Sequence, residues 1–235
     1  MLATKTLKMN LTEHYNNLYQ ESLQKLQADA YQIDPLIDSP TDNRFGITLL
    51  IRPSGQAKAN IQSFLNELKA VEPEQYYYPN SDIHITVMSI ISCYAGFNLQ
   101  QISVPDYISL IQKSLSETGR FSISFQGVTA SDSGILIQGF PQDEALSGIR
   151  NSLRENFKNS GLQQSIDARY AIQTAHATVV RFRKPFVGKQ PFLQVVEQWR
   201  EVDFGTFEVA KLELVYNDWY QRERSVKPLH SFRLG

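Results

Sequence analysis

The chain has 235 residues, too many for one small domain and suited to one large domain or two lobes. Hydrophobic residues make up 42% and charged residues 20%, so there is enough apolar surface to offset chain entropy, and a disordered protein is excluded. Lys plus Arg total 23 against 24 for Asp plus Glu, and a net charge of −1 argues against a grip on a long nucleic-acid backbone while permitting a small basic cleft.

Residues 11–31 read as a helix, with Leu11, Tyr15, Leu18, Ser22 and Leu26 near one face and Asn10 or Thr12 as N-cap. This stripe is narrow and partly polar, so the helix is expected to pack on the outside of another element. Residues 34–43, with two prolines and three aspartates, form a loop. Residues 45–52 make a strand ended by Pro53. Ser54 caps the next helix, whose apolar stripe is Ile61, Phe64, Leu65, Leu68 and Val71. Residues 82–91 are β-branched and apolar, hence a strand. Pro105 opens a helix that stops at Gly119. Strands follow at 120–130 and 134–140, then a helix from Pro141 to about Gly161 with Leu146, Ile149, Leu153 and Phe157 on its apolar face. A strand at 174–182, a helix at 191–201 and a long strand at 206–217 complete the order. The second half echoes the first, which suggests two similar lobes of sheets with helices packed on them.

Cys93 is the one cysteine, so neither an internal disulfide nor a cysteine-based zinc site is expected. Lys5 and Lys8 are followed by no apolar stretch, and no window is apolar enough for a membrane span. A soluble, cytoplasmic protein is expected.

Two of the four histidines are followed by threonine two residues later, His84-Ile85-Thr86 and His176-Ala177-Thr178. With 11 threonines in the chain, chance gives this about once in a hundred. In a strand, residues two apart share a face, so each motif presents one imidazole and one hydroxyl to the same space. Lobes facing each other would bring two imidazoles and two hydroxyls together. Such a set suits phosphoester chemistry. One imidazole takes a proton from the attacking oxygen, the other donates one to the leaving oxygen, and the hydroxyls bind the non-bridging oxygens. Which histidine is the base stays open.

HITV at 84–87 and HATVVR at 176–181 resemble the paired motifs of the two-histidine (2H) phosphoesterase superfamily, which includes bacterial RNA 2′,5′-ligase-like proteins and plant and fungal cyclic phosphodiesterases. Its second motif commonly runs His-x-Thr-x-x-Arg, matched by His176, Thr178 and Arg181. The stretch from Phe207 to Asp218 is similar to that family's last core strand, and the resemblance spans residues 45–218. It implies an α+β, bilobal, pseudo-two-fold fold with two antiparallel sheets flanked by helices around a central cleft. It also implies a bilobal domain over 45–235, while the N-terminal helical extension and loop over 1–44 depart from the family's minimal pattern.

By that resemblance His84 and His176 are the acid–base pair, and Thr86 and Thr178 hold the phosphate. Arg181 would lie on the face opposite His176 in a regular strand. It reaches the phosphate only across a bulge or after the strand ends, or else is a surface arginine in the run Arg181, Arg183, Lys184. In Tyr76-Tyr77-Tyr78, packing is expected for two, and Tyr78 is expected to touch the ligand by stacking on a base. His14, His230, Cys93, Trp199 and Trp219 are read as core, surface or packing residues. A two-histidine, one-carboxylate iron site using Asp82 has its residues in reversed order, and no motif supports it.

The expected activity is metal-independent hydrolysis of a 2′,3′-cyclic phosphate or 2′,5′-linked phosphodiester of a nucleotide or RNA end, with no cofactor. The alternatives are a nucleotide-binding module of the same fold or an RNA 2′,5′-ligase. The expected partner is a nucleotide or RNA 3′ end, with no long nucleic-acid footprint and no membrane, and the chain is expected to be a monomer.

Overall fold

The computed structural model describes residues 10–235. Lys5 and Lys8 lie outside the described residues.

Helix α1 (Leu11–Gln27) starts at Asn10, whose side chain accepts the amide of Glu13 at 3.2 Å. It ends four residues earlier than the sequence pattern suggests, because Asp29 takes a left-handed φ of 55°. The polar members of its stripe are satisfied by the neighbouring strand. Ser22 donates to the Ala130 carbonyl at 3.0 Å, and the Tyr15 carbonyl accepts the Thr129 hydroxyl at 3.0 Å. A partly polar face can therefore be buried without loss of hydrogen bonds.

Among the described residues nine strands form two sheets, antiparallel throughout. The first has the order β3 (Ile85–Ala95), β1 (Arg44–Ile51), β8 (Lys211–Asp218), β9 (Lys227–Arg233). The second has the order β2 (Tyr76–Tyr77), β6 (Ala177–Arg181), β5 (Gly134–Pro141), β4 (Phe121–Ser131), β7 (Asp203–Val209). Helix α2 (Gly55–Val71), capped by Ser54, lies against β7 and α5 (Lys189–Gln198). Helices α3 (Val104–Ser114) and α4 (Ala145–Lys158) pack on each other and reach β9 and β3.

The expected long strand at 206–217 is two strands. β7 belongs to the second sheet and β8 to the first, with Ala210 between them. The chain stays extended through the crossing, so the sequence carries no turn signal there, and only the hydrogen-bonding partners change. Each sheet also draws on both halves of the chain, since β8 and β9 complete the first and β2 edges the second. β9 escapes the sequence pattern because it is an edge strand with only Phe232 buried.

Candidate active site

The two histidines stand at matched places. His84 immediately precedes β3 in the first sheet, and His176 immediately precedes β6 in the second. Both strands therefore begin after the histidine, not before it as the sequence pattern suggests. Each imidazole is fixed through Nδ1 by the residue two before it. His84 Nδ1 is 2.7 Å from the Asp82 carbonyl, and His176 Nδ1 is 2.6 Å from the Thr174 hydroxyl.

A β-bulge follows each motif threonine. Leu49 and Leu50 of β1 pair with Met88 and Thr86, leaving Val87 as the extra residue. Ile135 and Leu136 of β5 pair with Val180 and Thr178, leaving Val179 as the extra residue. A bulge advances the side-chain phase by one. Val87 and Met88 are thus both buried, as are Val179 and Val180, while Ser89 and Arg181 return to the half-buried face of Thr86 and Thr178. This puts Arg181 on the same side as Thr178, which a regular strand would not do.

Arg181 donates from Nε to the Tyr78 hydroxyl at 3.0 Å. Tyr78 is only 1% exposed, so it has no free ring face for a ligand, and the expected base contact at this residue is corrected to a support beneath Arg181. Tyr76 and Tyr77 pair with Arg181 and Val180 as β2, the packing role expected of them.

Burial, then the charges of Arg52, Arg181 and His176, push the His84 pKa down to about 3 against one opposing hydrogen bond to the Asp82 backbone. Burial, then Arg150, Arg181 and His14, push His176 down to about 4. Both imidazoles are therefore neutral at pH 7. Thr86 and Arg181 line a cleft of about 260 Å³ that continues past Ser89, Ser92 and Trp219. The imidazoles and Thr178 are not part of that lining. Among the described residues no group of three His, Cys, Asp or Glu could hold a metal ion. The Asp82 carboxylate accepts the Ser81 hydroxyl and the Glu223 amide instead.

Sequence reasoning missed Arg150. It sits on α4, 3% exposed, and spans both motifs. Its Nε donates to the Val87 carbonyl at 3.0 Å, and its Nη2 to the carbonyls of Thr86 at 3.0 Å and Thr174 at 2.8 Å. The one available signal was a cation between Ile149 and Leu153 on the apolar stripe. Trp219, read as packing, instead lines the cleft, between Arg44 at 4.8 Å and Arg169 at 4.4 Å from its ring. Tyr170, 68% exposed, stands in the same wall. Cys93 is buried, and burial pushes its thiol up to about 12, so it is no nucleophile at neutral pH.

No family model matches the sequence, and no curated protein matches it. Solved structures do match the fold. TT0787 of Thermus thermophilus superimposes with a TM-score of 0.58 at 14% identity, over 80% of this chain and 97% of that one. E. coli LigT complexed with 3′-AMP gives 0.53 at 13% identity, over 81% and 98%. A structure described as a phosphoesterase gives 0.52 at 14% identity, over 81% and 98%. The chain has the 2H phosphoesterase fold. Within this fold, each sheet contributes one motif threonine and one bulge, with a histidine just before the strand. Among the described residues no helix is long and apolar enough to cross a membrane.

Proposed function

We propose that this chain is a phosphodiesterase that opens a 2′,3′-cyclic phosphate, or a 2′,5′-linked phosphodiester, of a nucleotide or RNA end without a metal. The observation that carries this reading is the matched pair of imidazoles, each tied at Nδ1 and each followed by a threonine and a bulge. Engaging Nδ1 leaves Nε2 as the working atom of both rings.

The two Nδ1 partners differ chemically, and this separates the roles. A carbonyl only accepts, so His84 holds its proton on Nδ1 and carries a lone pair on Nε2. His84 is then the base that takes a proton from the attacking water. A hydroxyl can also accept, so Thr174 Oγ1 can take the Nδ1–H of a His176 imidazolium, whose Nε2 proton is then available to the leaving oxygen. As water bonds to phosphorus, the bond to the leaving ribose oxygen breaks and that oxygen takes the His176 proton. Thr86, Thr178 and Arg181 hold the non-bridging oxygens, where charge builds. A bound phosphate anion offsets the cations around His176 and raises its pKa toward the imidazolium form that donates best.

The test is turnover of 2′,3′-cyclic mononucleotides and 2′,5′-linked dinucleotides in excess chelator. His84→Ala and His176→Ala should each lower kcat by about a hundredfold or more. Activity lost in chelator and restored by a divalent metal overturns the reading. Mononucleotide binding without turnover of any of these substrates would replace it with a binding module.

A further inference from the structure

The imidazole of His84 meets the backbone carbonyl of Asp82 at 2.7 Å, so its placement depends on what holds that one peptide group still. Asp82 is only 3% exposed, a burial that a carboxyl group tolerates only when it is hydrogen-bonded. The ring takes the backbone oxygen of Asp82, and the side chain of the same residue is bonded elsewhere. Its Oδ1 accepts the Glu223 amide at 3.0 Å and the Ser81 hydroxyl at 2.8 Å. Glu223 belongs to the segment between β8 and β9, 141 positions along the chain from Asp82. The Ser81 carbonyl accepts Nη1 of Arg52, the residue after β1, at 2.8 Å. Arg52 also pairs with Glu213 of β8 at 3.7 Å. The Asp82 amide donates to the Pro79 carbonyl at 3.0 Å. The turn that leads into His84 is therefore tied at the Ser81 carbonyl, the Asp82 amide and the Asp82 side chain, and the Asp82 carbonyl is left for the imidazole.

We propose that Asp82 is a positioning residue for His84, its side chain anchoring its own backbone carbonyl to the segment between β8 and β9. Any residue at this position would supply a carbonyl, so the contact with the ring does not call for an acidic side chain. The Glu223 amide does, because it needs an acceptor. When His84 takes a proton on Nε2, positive charge spreads to Nδ1–H and its bond to the carbonyl strengthens. Such bonds weaken steeply as they leave the line, so a carbonyl held in place gives this stabilisation without rearranging. The segment that supplies the Glu223 amide also carries Trp219 in the cleft wall, so the base and that wall share one anchor. The inference rests on the base role given to His84 above, but its central readout does not need turnover.

The experiment is long-range proton–nitrogen NMR of the imidazoles in the full chain, with steady-state kinetics on a 2′,3′-cyclic mononucleotide alongside. The wild type should show His84 as the Nδ1–H tautomer. Asp82→Ala keeps the backbone carbonyl and loses the anchor. It should give His84 a mixed tautomer signature, leave His176 unchanged, and lower kcat about tenfold at constant KM. Asp82→Ser is too short to reach the Glu223 amide and should behave like Asp82→Ala, which keeps the test open if the alanine variant does not fold. Asp82→Asn retains an oxygen for that amide and should recover most of both losses. An Nε2–H tautomer at His84 in the wild type overturns the proposal. So does a folded Asp82→Ala or Asp82→Ser protein with an unchanged His84 signature, an equal change at His176, or a folded Asp82→Asn protein that recovers nothing. If His84 responds as expected but the wild type turns over no phosphodiester, Asp82 keeps its role and the catalytic reading falls.

Discussion

The Nε of Arg181 donates to the hydroxyl of Tyr78 at 3.0 Å, from a strand that pairs with the tyrosine's own segment. The tyrosine fixes the stem of the guanidinium and leaves its outer nitrogens for an anion. Tyr78→Phe keeps the packed ring and removes this anchor. It should raise KM several-fold with a smaller change in kcat, and cost about 1 kcal/mol of stability. Michaelis parameters and a urea midpoint check both.

Arg150 binds three carbonyls from two segments far apart in sequence. Arg150→Leu leaves those acceptors buried without donors. Each such loss costs about 1–3 kcal/mol, so the variant should be destabilised by roughly 3 kcal/mol or more. Arg150→Lys should recover little, because an ammonium cannot span the fork. Denaturant unfolding of both variants would show this, and a lysine variant as stable as wild type would contradict it.

Acid should weaken the fold through the two histidines. Their folded pKa values lie at about 3 and about 4, below the unfolded value of about 6.5. The unfolded chain therefore binds more protons as pH falls below 6.5. Stability contributed by the neutral imidazoles is complete above that value and is lost on the way down to the folded pKa values. Between about pH 6.5 and pH 5 the loss is roughly 1.5 kcal/mol per histidine. His84→Gln and His176→Gln should each flatten the pH dependence of the unfolding free energy by that amount.

Trp219 offers an aromatic wall to the cleft between two guanidinium groups. Stacking on a base is worth about 1–3 kcal/mol. Trp219→Ala should raise KM for a cyclic nucleotide about tenfold while leaving inhibition by inorganic phosphate unchanged. Equal loss for both ligands would place the ring outside the base subsite.

The α+β class and the paired strands are legible because their signals are local. A His-x-Thr pair is read from three consecutive residues. The bulges at Val87 and Val179 are not legible, since each is defined by the register of a partner strand. Arg150 is hidden for the same reason, its Val87 partner lying 63 residues away. Tyr78 is misread because its neighbours say nothing of which way the ring turns, and its partner Arg181 is 103 residues away. The crossing at Ala210 is invisible because extended backbone looks the same in either sheet.

That crossing governs the order in which the molecule can be assembled. β8 is an inner strand of the first sheet, flanked by β1 and β9, yet it is among the last segments of the chain. Until it arrives, β1 and β3 have only each other in that sheet, and an isolated pair of strands is barely stable in water. Such non-local closure makes for slow, highly cooperative folding. A nascent chain that has reached only Val209 holds every residue of both histidine motifs but lacks the strand that completes the sheet leading from His84.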